Sequence, residues 1–281
     1  MQIGKHKLKT VLSGFFGLDG GAMFGIIPKP LWEKTNPADE ANRVKLSTRN
    51  LLLFSDDKKI LIDTGMGDKW DTKSKNIYNV DQANNLENSL LQFGLKPVDI
   101  TDVLLTHLHF DHTGGSTKIQ EGKLIPAFPN ARYFVQKKNF EWAMNPSDRD
   151  KGSYLKENFE PLIKEGVLNL VDGEHNFDEN ISFKIINGHT FSQQIIKISD
   201  SSNTVLYCAD LIPFISQIKI PYVMGYDLQP LVTVQEKKKY LKQAADENWF
   251  LYFGHDPDVA LATVKHSDKG IITDKLLQDF E

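Results

Sequence analysis

A chain of 281 residues with 40% apolar content can bury a full hydrophobic core. Its formal charge of -4, with acidic and basic residues interspersed, excludes the basic tracts that nucleic acid or an anionic membrane surface would demand. One cysteine, Cys208, forbids an internal disulfide, and no apolar run approaches the roughly twenty residues needed to span a bilayer. The basic start Met1–Lys7 leads into Gly14, Gly17 and Asp19 rather than an apolar signal core, so a cytoplasmic protein is expected.

Residues 8–27 are apolar and rich in glycine, which argues against a helix and predicts a folded loop. Arg49–Phe54 and Lys59–Ile62 read as strands joined in a hairpin by Ser55-Asp56-Asp57-Lys58, the second ending at Asp63. Leu86, Leu90, Leu91 and Phe93 predict a helix over 81–93, stopped by Gly94. Val103–Leu105 and Arg132–Val135 read as strands, Lys137–Met144 and Tyr154–Glu165 as helices. Ile181–Ile186, Gln194–Ile198 and Thr204–Ala209 are short and β-branched enough for strands. Thr233–Asn248 reads as an amphipathic helix whose Lys237-Lys238-Lys239 run marks a solvated face, and Trp249–Phe253 as a buried strand. This mixture predicts an α/β (α+β) protein, two mixed β-sheets flanked by helices on their outer faces, in one domain over 1–281.

The chemistry concentrates in His107-Leu108-His109-Phe110-Asp111-His112, between the Val103 strand and Gly114-Gly115. In extended chain, side chains two apart face one way, so His107 and His109 offer two nitrogens to one cation. Asp111 and His112 come where the chain turns and reach a neighbouring position, which points to two metals. Imidazole and carboxylate without thiolate suit zinc, with manganese, iron or cobalt also accommodated. Three further strand-like runs each end in one metal-competent residue: His189, Asp210 and His255. Strand ends converge on one crevice in α/β sheets. The expected sets are His107, His109 and His189 for the first divalent ion and Asp111, His112 and His255 for the second, with Asp210 bridging. Asp63 either orients a ligand histidine or caps a turn. Gly188 and Gly254 are expected to provide sharp turns beside the ligands. His6, His175 and His266 are expected at the surface, and Cys208 buried and inert.

These residues, in this order, resemble the binuclear metallo-β-lactamase superfamily. Asp19–Gly25, Pro28–Trp32 and Pro221–Asp227 are similar to segments of its quorum-quenching N-acyl homoserine lactonase group, to which methyl parathion hydrolase is a near relative. The resemblance implies an αββα metallo-β-lactamase sandwich with the metals at one edge of its two sheets. Two divalent ions, only partly offset by Asp111, Asp210 and a bridging hydroxide, would leave a cationic site suited to an anionic tetrahedral intermediate. The hydroxide is the expected nucleophile and Asp111 its proton carrier. Opening of a lactone, or cleavage of a related ester, is the favoured reaction. Phosphotriester or aryl ester hydrolysis is the alternative enzyme reading, and a metal-binding sensor module without turnover the non-enzymatic one.

Met23, Phe24, Ile26, Ile27 and Trp32 are candidates for an acyl-chain pocket, with Phe214, Ile215 and Ile218 opposite. Pro213 stands where the lactonase group carries a tyrosine, so Tyr222 or Tyr226 is the candidate phenol. Ser192, Gln193 and Gln217 also depart from the group's pattern. The expected partner is a small lactone or ester, neither nucleic acid nor membrane, and Pro28–Lys45 is a candidate arm for a homodimer.

Overall fold

The computed structural model describes residues 1–81 and 83–280. In chain order, β1 (Gln2–Ile3), β2 (His6–Asp19), β3 (Arg43–Phe54), β4 (Lys59–Ile62) and β5 (Asp102–Leu104) open the first sheet. A separate hairpin, β6 (Thr117–Gln120) and β7 (Lys123–Pro126), intervenes before β8 (Arg132–Gln136) and β9 (Leu168–Val171) complete that sheet in the order β1-β2-β3-β4-β5-β8-β9. The second sheet takes the remaining strands in chain order: β10 (His175–Asn176), β11 (Ile181–Ile186), β12 (Gln193–Ser199), β13 (Thr204–Tyr207), β14 (Phe250–Tyr252), β15 (Leu261–Ser267) and β16 (Gly270–Leu277).

Helices α1 (Gly20–Phe24) and α2 (Lys29–Trp32) follow β2, and α3 (Thr72–Tyr78) and α4 (Leu86–Leu91) lie between β4 and β5. α5 (Phe110–Thr113) follows β5, α6 (Lys137–Met144) and α7 (Glu160–Lys164) separate β8 from β9, and α8 (Pro230–Glu247) separates β13 from β14.

The period-two alternation of β3 sets the layers. Leu51 and Leu53 enter a core shared with Phe183, Ile196 and Val205 of the second sheet, whereas Leu52 joins Leu90, Ala143 and Leu162 of the outer helices. α8 lays Tyr240, Leu241 and Ala244 on the second sheet. The result is helix, sheet, sheet, helix, the mixed α/β architecture expected. β4 is parallel to β5; β11, β13 and β14 also share one direction, since β11 and β13 are each antiparallel to β12 and β13 is parallel to β14. Residues leaving these strands therefore collect at common edges.

Several segments differ from expectation. Residues 8–27 are no loop: β2 runs through Gly14 and Gly17, and Gly14, with φ of 148°, sits where the β2–β3 register shifts. Glycine there makes an irregularity in a strand rather than ending it. Asp19 then caps α1 by accepting from the Ala22 N–H. The helix expected over 81–93 is confined to Leu86–Leu91, capped by Asn85; Gln82, in the expected span, lies outside the described residues. The helix expected from Tyr154 begins only at Glu160, because Pro161 fits a first turn and not a helix interior.

The lysine run is split. Lys238 and Lys239 are exposed, but Lys237 is fully buried and its Nζ donates to the carbonyls of Lys219 and Tyr222, both at 2.8 Å. Thr233, Lys237, Tyr240, Leu241 and Ala244 share the buried face of α8, so the helical period makes Lys237 a core position despite its charge. His6 is also buried, its Nε2 2.7 Å from Asp178 Oδ2, while His175 and His266 are exposed as expected.

Candidate metal centre

The chain leaves β5 at Leu104, and Asp63, one residue past β4, receives it by accepting from the Thr106 N–H (2.8 Å) and hydroxyl (2.9 Å). That fixes the start of the segment from which His107, His109, Asp111 and His112 project. His189 follows β11, Asp210 follows β13 and His255 follows β14. All seven side chains meet in two buried groups, His107, His109, His189 and Asp210 in one and Asp111, His112 and His255 in the other, with candidate ligand atoms in each within 4.8 Å of one another.

Asp210 spans the groups. Its Oδ2 lies 3.2 Å from His189 Nε2, while its Oδ1 lies 3.0 Å from His112 Nε2 and 3.1 Å from His255 Nε2. Asp111 Oδ2 stands 3.8 Å from His112 Nε2 and 3.6 Å from His255 Nε2.

The hydrogen bonding of the donor set fits metal ions. Three histidines have the far ring nitrogen tied down: His112 Nδ1 to Asp63 (2.9 Å), His189 Nδ1 to Asp227 (2.8 Å) and His255 Nδ1 to the Ser47 carbonyl (2.9 Å). A carbonyl or carboxylate there takes the ring N–H and leaves a lone pair on Nε2. Yet His112 Nε2 and His255 Nε2 are only 3.1 Å apart, and His189 Nε2 is 3.1 Å from His109 Nδ1. His107 Nε2 is buried with no partner. Lone pairs converging away from water need a cation to satisfy them.

The electrostatics agree. Burial, reinforced by the neighbouring imidazoles, holds His107 and His109 well below the usual histidine range, so both are neutral. Burial alone would raise Asp210, but His112, His189 and His255 outweigh it and hold the carboxyl well below its ordinary range. Burial likewise opposes protonation of His112, but the carboxylates of Asp210, Asp111 and Asp63 hold its pKa well above the usual histidine range, so without a cation His112 Nε2 carries the proton that a bound metal would displace.

Two backbone outliers serve this cluster. Asp63 has φ of 57° and Ala209, just before Asp210, φ of 45°; left-handed backbone at non-glycine residues persists where surrounding contacts enforce it. Gly188 acts differently from the turn expected of it. A Cβ there would lie 2.2 Å from Thr233 Oγ1, so the glycine permits close approach of α8 rather than positive φ. Gly254 has neither a positive φ nor a crowded Cβ position.

Asp227 went unread in the sequence as a contact of His189. Thr233 Oγ1 donates to its second oxygen (2.8 Å), and Glu236 accepts the N–H groups of Asn187 (2.7 Å) and Gly188 (3.0 Å). Segment 227–236 thus clamps the His189 loop. Only the packing of α8 creates these contacts; Asp227 lies at the end of the lactonase-like segment Pro221–Asp227, but no local pattern marks it.

A cavity of about 440 Å³ opens over Asp111, His109, His189, Asp210 and His255, a size suited to a small ligand. Met23 and Tyr226 line it, together with Leu18, Leu46, Tyr78, Met224 and Leu228, which carry no signal in the sequence. The other eight pocket candidates do not line it. Phe24, stacked on Trp32 at 5.1 Å and near Phe214 at 6.0 Å, is buried in a packed cluster behind the wall. Tyr222 packs edge-on against Phe24. Ile218 belongs to the inter-sheet core, and Ile26, turned outward after Gly25 (φ 54°), is 91% exposed. Gln217 is buried and donates to the Met23 carbonyl (2.7 Å), and Cys208 is fully buried, which pushes its thiol pKa up.

Among the described residues no helix is long and apolar enough to cross a membrane. The family model of the metallo-beta-lactamase superfamily matches residues 46–255. The N-acyl homoserine lactonase AttM of Rhizobium radiobacter is 26% identical over 64% of this chain, a match spanning 66% of AttM, just under two thirds of its length. An N-acyl homoserine lactonase of Bacillus thuringiensis is 24% identical over 73% of this chain and 79% of its own. Among solved structures, a probable metal-dependent hydrolase from Staphylococcus aureus superposes with a TM-score of 0.90 at 30% identity, covering 99% of this chain and 98% of that one. AidC, a dizinc quorum-quenching lactonase, superposes with a TM-score of 0.81 at 23% identity over 98% and 95% of the two chains.

Proposed function

Since residues 46–255 carry its fold signature, this chain belongs to the metallo-beta-lactamase superfamily, and from that premise we propose that it is a dinuclear metal-dependent lactonase. Its substrates on this reading are N-acyl homoserine lactones or related lactones and esters. The observation that carries the reading is Asp210, whose two carboxylate oxygens face different groups of histidines. His107, His109 and His189 would hold one divalent ion, Asp111, His112 and His255 the other, and Asp210 both; zinc suits the donor set. Bound there, the ions would supply Lewis acidity and make a water molecule acidic enough to attack at neutral pH.

The chain's own residues do the rest. Asp111 lines the cavity floor with its carboxylate beside His112 and His255, placed to take a proton from the attacking water and return it to the leaving alkoxide. Tyr226 occupies the same cavity, and burial, then Asp19, Tyr78 and Asp111, push its pKa up. Its hydroxyl therefore stays protonated and can donate to a substrate oxygen, the part left open by Pro213. Leu18, Met23, Leu46, Met224 and Leu228 give the cavity apolar wall for an acyl arm.

A panel of lactones, aryl esters, thioesters and phosphotriesters, assayed at one metal loading, tests the assignment. Lactones are expected to show the highest kcat/KM, by about tenfold or more. Faster phosphotriester cleavage, or no ring opening with both metals bound, would overturn it.

A further inference from the structure

Among the described residues Arg149 is the one lysine or arginine that lines the cavity, and its side chain is exposed to solvent. It stands in the loop after α6, a loop held in shape by Asp150, which accepts from Ser147 Oγ (2.6 Å) and Trp142 Nε1 (2.7 Å). The other nearby carboxylate, Asp148, is paired with Lys151 at 2.9 Å. Among the described residues Arg149 has no carboxylate oxygen within 4.0 Å. Its one hydrogen bond runs from Nη2 to the Gly225 carbonyl (2.5 Å), on a wall that is itself tied to α1 by the Gly225 N–H and the Ala22 carbonyl (2.7 Å). Ala22, Arg149 and Gly225 all line the cavity. A guanidinium carries five N–H donors in a flat fork matched to a carboxylate. This one is positioned by a single carbonyl, and its remaining donors have no anion to meet.

Resting on the hydrolase reading above, we infer that Arg149 selects substrates bearing a carboxylate, the acidic group lying against the guanidinium while the scissile carbonyl sits over the metal cluster. The protein as a whole carries a charge of -4, so a guanidinium in the cavity lining would sort substrates by local charge instead of following the general surface field. Such a contact is made equally in ground and transition states, and it shows in KM more than in kcat.

A matched pair of probes decides the matter: γ-butyrolactone carrying a ring carboxylate, and the same lactone as its carboxamide. Metal-loaded wild-type protein is expected to favour the carboxylate by about tenfold in kcat/KM, mainly through KM, with the preference shrinking as salt is raised. In R149A the carboxylate-to-carboxamide ratio falls to about one, in R149E it inverts, and R149K restores part of it. A loop-packing role alone would lower both rates together and leave the ratio fixed; that result, or equal rates in the wild type, overturns the inference. Calorimetric binding of the carboxylate to wild type and R149E separates this inference from the lactonase reading. Arg149-dependent binding without ring opening sinks the lactonase assignment alone, and ring opening without Arg149 dependence sinks the charge selection alone.

Discussion

Asp210→Ala is expected to abolish practical turnover, lowering kcat/KM by about 10³-fold or more, and to cut bound metal from two ions per chain to one or fewer. Among the described residues no other carboxylate meets both groups of histidines: Asp210 meets His189 with one oxygen and His112 and His255 with the other. Removing it takes away the nearest carboxylate of His255 and leaves His112 to Asp63 and His189 to Asp227, with nothing to join the two groups. Elemental analysis beside steady-state kinetics reads both effects. Retention of two ions with a modest rate loss would show that Asp210 does not join the two halves of the site.

Asp63→Ala is expected to be the most damaging substitution for folding at the site, at about 3–5 kcal/mol, with metal affinity weakened about 10–100-fold. The Asp63 carboxylate is buried and accepts from the Thr106 N–H and hydroxyl, His112 Nδ1 and, at 3.2 Å, the Tyr207 hydroxyl. Alanine would strand the Thr106 N–H and His112 Nδ1, leaving the Tyr207 hydroxyl only the Arg49 carbonyl and the Thr106 hydroxyl only the imidazoles of His107 and His112. It would also be forced into φ of 57°, a region asparagine tolerates better. Asp63→Asn therefore isolates the charge from the backbone: it should recover part of the stability while affinity stays low. Urea denaturation of metal-free protein and competition with a chelating dye measure the two effects separately. Equal stability of the alanine variant and the wild type would refute the structural part.

The metal-cluster candidates were legible because their signal is local. His107, His109, Asp111 and His112 lie within six positions, and His189, Asp210 and His255 each follow an apolar strand-like run whose end the fold brings to one edge. Contacts created by packing between distant elements were not. Asp227 meets His189 only because α8 presses on the loop before it, and Lys237 looked solvated beside two lysines that are. The pocket was misread for a related reason. Aromatic and aliphatic residues near the N-terminal signature suggested a lining, but Phe24, Trp32 and Phe214 stack on one another behind the wall, and the space itself is bounded by Leu18, Leu46 and Met224 from separate segments. Glycine misled in the opposite direction, since Gly14 bends β2 without ending it.

Arg149 belongs with the residues that composition hides. It stands exposed between two aspartates that the structure occupies elsewhere, Asp148 with Lys151 and Asp150 with Trp142 and Ser147. What it faces then becomes a question about substrate and not about solubility.

Where cations settle decides whether the two groups of side chains work as one centre. Crystals of the zinc-loaded protein, measured at the zinc absorption edge, should give two anomalous peaks, one among His107, His109 and His189, the other among Asp111, His112 and His255, with the Asp210 carboxylate between them. A single peak, or peaks away from these side chains, would contradict it.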